Sequence, residues 1–158
     1  DDDEPLTGTR ASGEQRLRAH FPERAAGFEM RVLYHNRKAV AQDIERALKA
    51  VEHAANPGIH IFIATSDIHL EHKLRMSREQ VLEAAVKAVS NAKKHIDYIE
   101  FSAEDASRSA LEFMIQVFKE VIRAGANTIN VPDTTGYAIP SEFGALMSNL
   151  IERTAGST

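Results

Sequence analysis

Three times in this chain a short apolar run breaks off into a cluster of polar side chains, and each time a helical pattern follows. The first is Ile59-His-Ile-Phe-Ile-Ala-Thr-Ser-Asp67. The second is Tyr98-Ile-Glu-Phe-Ser-Ala-Glu-Asp-Ala-Ser-Arg-Ser109. The third is Thr128-Ile-Asn-Val-Pro-Asp-Thr-Thr-Gly136. Strand then helix, repeated, builds a parallel sheet with right-handed crossovers. In such folds the chemistry sits at the carboxyl ends of the strands. The polar clusters fall at those ends.

The sequence between the clusters supports the same α/β reading. Met30-Arg-Val-Leu-Tyr34 fits a short strand. Val40, Ile44, Ala47, Leu48 and Val51 form a helical stripe over 40–55, which Asn56-Pro-Gly58 stops by turn chemistry. Residues 59–64 are nearly all apolar, the pattern of a strand covered on both faces. Ser77 and Gln80 fit a capping box for a helix running to about residue 94. Lys93, Lys94 and His95 suit the negative pole at its end. A third strand covers 98–102. Ser109 and Glu112 match a second capping box, with an apolar stripe of Leu111, Met114, Ile115, Phe118, Val121 and Ile122. Gly125 fits the residue just past that helix. A fourth strand covers 128–131, and Pro140 and Ser141 open a last helix. An open doubly wound sheet and a (β/α)8 barrel both begin this way. No Gly-rich dinucleotide fingerprint or P-loop follows any strand, which weakens the nucleotide-binding version. Residues 1–28 carry few large apolar residues and read as a loop or tail, leaving 29–158 as the folded domain.

Composition narrows the function. The 158 residues suffice for one domain with a real core. There is no Cys, so neither a disulfide framework nor a thiolate metal site can form. A net charge of −4 and the lack of a basic block argue against a nucleic-acid binder. No apolar run approaches the roughly 20 residues of a membrane span. The acidic Asp1-Asp-Asp-Glu4 start is the opposite of a signal peptide, so a soluble cytoplasmic protein is expected.

Each polar cluster has a functional and an ordinary reading. Glu104 and Asp105 can orient a substrate or take a proton, or one of them caps the following helix. Arg108 can clamp a carboxylate with its guanidinium fork, or pair with Glu104 or Glu112. Asp133 and Thr134 offer ligand contacts or form an Asx or ST turn before Gly136. Thr65, Ser66 and Asp67 divide the same way. His69 and His72, near Asp67 and Glu71, can share a helical face and bind a metal, or lie in a solvated loop. His60 is a core or barrel-lining histidine, and His35 and Asn36 end the first strand.

Three segments together resemble the 2-isopropylmalate synthase family: His60-Ile-Phe-Ile-Ala-Thr-Ser66, Glu100-Phe-Ser-Ala-Glu-Asp105 with Arg108-Ser109, and Ile129-Asn-Val-Pro-Asp-Thr-Thr-Gly-Tyr137. Their order and spacing match as well, over about residues 32–154. The resemblance implies a TIM (β/α)8 barrel that uses a divalent metal, Mg2+ or Mn2+. It implies a Claisen condensation of acetyl-CoA with a 2-oxo acid, 3-methyl-2-oxobutanoate, in leucine biosynthesis. By motif, Glu104 resembles the catalytic glutamate beside the oxo acid. Thr134 resembles the threonine on the substrate carboxylate. Arg108 and Ser109 match positions that bind the longer oxo acid in homocitrate synthases. His60, Thr65, Ser66 and Ser102 match the strand ends lining that pocket.

The chain also departs from the family pattern. Thr9-Arg-Ala-Ser-Gly-Glu-Gln15 echoes the first strand's metal motif, with Ser12 in place of the metal-binding aspartate. Ala25-Ala-Gly-Phe28 echoes the second strand's Glu-Ala-Gly-Phe but follows too soon. The His-x-His metal pair is absent. A barrel takes about 250 residues, so strands three to six are expected here, without recognisable metal ligands and without activity expected of the chain by itself. Their open edges invite pairing, either as a homo-oligomer or with the rest of a barrel. A citramalate or homocitrate relative, or a non-catalytic half-barrel that binds a partner or a 2-oxo acid, are the alternatives.

Overall fold

The computed structural model describes residues 32–34, 41–133 and 135–156. The lead-in, the Thr9–Gln15 and Ala25–Phe28 echoes, Met30, His35, Asn36 and Thr134 lie outside the described residues. The elements are β1 (Val32–Tyr34), α1 (Ala41–Val51), β2 (Gly58–Ala64), α2 (Arg78–Lys93), β3 (Tyr98–Glu104), α3 (Leu111–Arg123), β4 (Thr128–Asn130) and α4 (Pro140–Thr154). A short helical segment, Asp67–His69, widens into a π turn at Leu70–Leu74 between β2 and α2. The four strands lie in sequence order β1-β2-β3-β4, and every pair is parallel. Among the described residues the sheet stays open, an arc of four β/α units as in part of a TIM barrel.

The pleat sorts the strand side chains onto two faces. One carries Ile59, Ile61, Ile63, Ile99, Phe101 and Ala103, all buried. Against it pack Val81, Ala85, Val89 and Ala92 of α2 and Met114, Val117, Phe118 and Val121 of α3. Phe101 and Phe118 meet edge to face, ring centroids 6.4 Å apart. The other face carries His60, Phe62, Ala64, Tyr98, Glu100, Ser102, Glu104, Thr128 and Asn130, and of these Ala64 and Ser102 are buried. The apolar run of β2 therefore corresponds to a strand covered by helices on one face. His60 and Phe62 are half-buried on the other.

Local signals explain most element ends. Ser77 Oγ accepts from Gln80 N and Gln80 Oε1 accepts from Ser77 N, so the first capping box forms at α2. The second does not form. Helix α3 starts at Leu111 with Ala110 as its cap and no side-chain bond there. The Ser109 hydroxyl is held by the Asp105 carbonyl and Thr65, and Glu112 pairs with Arg153. Gly125 ends α3 at φ 112°, where only glycine is at ease. A Cβ there would come within 2.8 Å of the Lys93 side chain. Strand β2 begins one residue early, at Gly58, where a Cβ would meet the Tyr98 ring at 2.8 Å. Pro140 occupies the first turn of α4, where its missing N–H costs nothing.

Candidate active site at the strand ends

The carboxyl ends of β2 and β3 are fastened to each other. Thr65 and Ser66, directly after β2, are fully buried. Thr65 N donates to Glu104 O at 3.1 Å, extending the sheet by one bond past β2. Ser109 Oγ donates its single proton to Asp105 O at 2.9 Å. The 2.6 Å contact between Thr65 Oγ1 and Ser109 Oγ is therefore donated by Thr65.

Asp105 is the centre of the rim. It is 4% exposed and sits in the left-handed region at φ 65°, a conformation Asp tolerates better than most residues. Its Oδ1 accepts from Arg108 Nε at 2.7 Å, and its Oδ2 lies 3.0 Å from His69 Nδ1. Ser66 Oγ is 2.8 Å from the same ring nitrogen. Burial raises the Asp105 pKa. Hydrogen bonds from Arg108, Ser66 and His69 and the charge of Arg108 outweigh it, so the group titrates below the ordinary aspartate range. Arg108 thus pairs with Asp105, and neither Glu104 nor Glu112 takes it. Asp105 does not cap the helix: no side-chain cap bond forms at the 3-10 turn Ala106–Arg108 that follows it.

Glu104 ends β3 and is gripped by Lys73, whose Nζ donates to Oε1 at 2.6 Å and to Oε2 at 2.8 Å. Both side chains are about one-third exposed. Asp133 forms the turn read from the sequence. It accepts from Tyr137 N and Ala138 N at 3.0 Å each, and from Ser107 Oγ at 2.6 Å. The Ser107 bond, then the backbone bonds, hold its pKa below the usual value.

One layer down the sheet, His60 Nε2 lies 2.5 Å from Ser102 Oγ, which also accepts from Asn130 Nδ2 at 2.9 Å. His60 Nδ1 faces Glu100 Oε1 at 3.4 Å. This polar layer spans β2, β3 and β4 beneath the rim.

The structure therefore gathers Thr65, Ser66, Glu104, Arg108 and Ser109 at one rim and sets His60 and Ser102 just below it. Asp67 points away to Arg78, at 2.8 Å. Lys73, Ser107, Asn130 and the partnership of His69 with Asp105 were not foreseen. Lys73 sits in a π turn, whose register no helical or strand period predicts. The others depend on contacts 26 to 36 residues apart in the chain.

His69 and His72 do not share a metal site. His69 turns to Asp105, while the exposed His72 lies 3.9 Å from Glu71. Among the described residues no three His, Asp or Glu side chains gather as a metal-ligand set. These residues do not fit a divalent ion.

Parallel β/α units with carboxylate, cation and hydroxyl groups at the strand ends define a piece of a barrel-type enzyme domain. The chain belongs to the HMGL-like family, whose model matches residues 20–158. It is a homologue of 2-isopropylmalate synthases. It is 56% identical over 119 residues to the 2-isopropylmalate synthase of Pelotomaculum thermopropionicum, covering 75% of this chain and 24% of that protein. It is 55% identical over 120 residues to the 2-isopropylmalate synthase of Nitratidesulfovibrio vulgaris, covering 76% and 23%. It is 56% identical over 110 residues to 2-isopropylmalate synthase 1 of Caldanaerobacter subterraneus subsp. tengcongensis, covering 70% and 28%. The chain spans about a quarter of the length of these curated relatives.

Proposed function

We propose that this chain supplies the oxo-acid side of a 2-isopropylmalate synthase barrel. The reaction is the condensation of acetyl-CoA with 3-methyl-2-oxobutanoate. A proton leaves the acetyl methyl, the resulting carbon attacks the 2-oxo carbon, and water cleaves the thioester to release CoA. The observation that carries this reading is the carboxylate of Glu104, held by Lys73 at the end of β3 beside the joined Thr65, Ser109, Asp105 and Arg108 rim. It lies where barrel enzymes place their chemistry.

In this reading Glu104 is the catalytic carboxylate beside the oxo acid, and Lys73 sets its rotamer. Thr134 contacts the acid's carboxylate, and Arg108 and Ser109 bind the oxo acid beside it. His60, Thr65, Ser66 and Ser102 shape the pocket beneath. A divalent ion, Mg2+ or Mn2+, would be held by ligands outside the described residues. The remaining strands come from the rest of a barrel, and the working compartment is the cytoplasm. No described helix is long and apolar enough to cross a membrane.

The test is release of free CoA from acetyl-CoA, by the chain itself and by a full-length 2-isopropylmalate synthase carrying it in place of the matching segment. Mg2+ or Mn2+ and a panel of 2-oxo acids are supplied. Release from the spliced enzyme, greatest with 3-methyl-2-oxobutanoate, supports the reading. Glu104→Gln then lowers kcat by about a hundredfold or more, the scale of a positioned acid or base. A folded spliced enzyme inactive with every acid, or an unchanged rate in Glu104→Gln, overturns it.

A further inference from the structure

The buried carboxylate of Asp105 touches His69, to which the proposed chemistry gives no role, and Arg108, for which it names no group of the acid. It faces His69, on the segment after β2, and Arg108, on the turn after β3. Arg108 spends only Nε on Asp105, and its terminal nitrogens have no partner among the described residues. His69 spends only Nδ1, on Asp105 and Ser66, and its ring is 26% exposed. An ionised carboxylate accepts and cannot donate. The ring nitrogen 3.0 Å from Oδ2 is therefore the one that carries the proton. In a neutral imidazole this leaves Nε2 as an acceptor. Asp105 is held ionised by the same contacts.

We propose that Asp105 is a positioning residue, which locks His69 as the Nδ1–H tautomer with one oxygen and fixes Arg108 through Nε with the other. This presents Nε2 as an acceptor and the terminal guanidinium nitrogens as donors to a small carboxylate at the rim. The inference rests on the proposed oxo-acid site for its ligand, while its geometric half stands independently of that reading. Asparagine in this place keeps the shape and tolerates the left-handed backbone. It has one acceptor where aspartate has two. One of the two links must fail. If the amide nitrogen faces His69, the ring must turn its lone pair to it and carry its proton on Nε2. If it faces Arg108, the guanidinium is released.

The experiment is long-range proton–nitrogen NMR of the histidine rings in the full 158-residue chain. It compares wild type with Asp105→Asn and His69→Gln at a pH where the rings are neutral. His69→Gln, at a part-exposed position, assigns the His69 signal even if Asp105→Asn fails to fold. The expected wild-type result is a His69 ring protonated on Nδ1. In Asp105→Asn we expect either a switch to Nε2 or a retained tautomer with a freed Arg108 Nε–H signal. A wild-type ring protonated on Nε2, or an Asn variant with neither change, overturns the proposal.

The ligand half is read in the spliced enzyme. Asp105→Asn should raise KM for 3-methyl-2-oxobutanoate about tenfold or more, the scale of one charge-assisted hydrogen bond, with kcat changed far less. A fall in kcat at constant KM overturns that half. Inactivity of the unsubstituted spliced enzyme counts against the proposed function and leaves the tautomer result standing.

Discussion

At the scale of single residues, the rim works by charges fixed by neighbours distant in sequence. Glu104 stands in the sheet and leans on Lys73, so its replacement by Gln removes charge without opening the core. The expected outcome is a lost condensation rate with a circular dichroism melt close to wild type. A matching fall in melting temperature would make the residue structural. Asp105 carries a pH signature. An aspartate in the unfolded chain titrates near about 3.9. Burial raises the folded value, but the bonds from Arg108, Ser66 and His69 bring it below that. The folded state thus takes up this proton only at lower pH. The stability from Asp105 is present above about pH 4 and is lost as pH falls through the folded value. Asp133, lowered by Ser107 and its backbone donors, acts in the same direction. Melts recorded from pH 6 downward should show the wild type losing stability below about pH 4, and Asp105→Asn losing less over that interval. Parallel curves would remove Asp105 from the acid limb.

At the scale of elements, two identical-looking caps have different fates. Ser77 with Gln80, and Ser109 with Glu112, both match the capping-box pattern, and only the first is made. The Ser109 hydroxyl is drawn into the rim by Thr65 and the Asp105 carbonyl, and the chain takes one more residue before α3 begins. This difference is measurable. Ser77→Ala should cost about 1 kcal/mol in urea unfolding, the usual loss for a removed N-cap. Glu112→Ala should cost well under that, because its exposed pair with Arg153 is worth little in water. Equal losses would mean that the pair is holding α3 to α4. The strands show the same division. The Ile59, Ile61, Ile63 and Ile99, Phe101, Ala103 alternation could be read in advance as apolar content. Which face met the helices required the register, Ile59 opposite Ile99 and Phe62 opposite Ser102.

At the scale of the whole molecule, the described sheet ends at β4, and exposed apolar side chains follow it in the chain. Tyr137, Ile139 and Ile151 are each more than half exposed, on the β4–α4 connection and on α4. An unpaired strand edge with apolar flanks favours pairing with another chain. The expected outcome is that the isolated chain sediments as a dimer or larger species at micromolar concentration. Ile151→Glu should shift it toward monomer. A single monomer boundary for the wild type at that concentration would count against pairing through this edge.

Local pattern decided the parallel β/α order, the helix stripes, the Gly125 stop and the placing of polar clusters at strand ends. Each of these follows from periodicity or from the backbone freedom of one residue. The family resemblance was legible for the same reason, since its motifs are contiguous strand ends. Tertiary structure alone decided the partners. Lys73 reaches Glu104 across 31 residues and His69 reaches Asp105 across 36. A hydrogen bond is a matter of distance in space, and a parallel sheet brings together loops that the sequence keeps a whole helix apart.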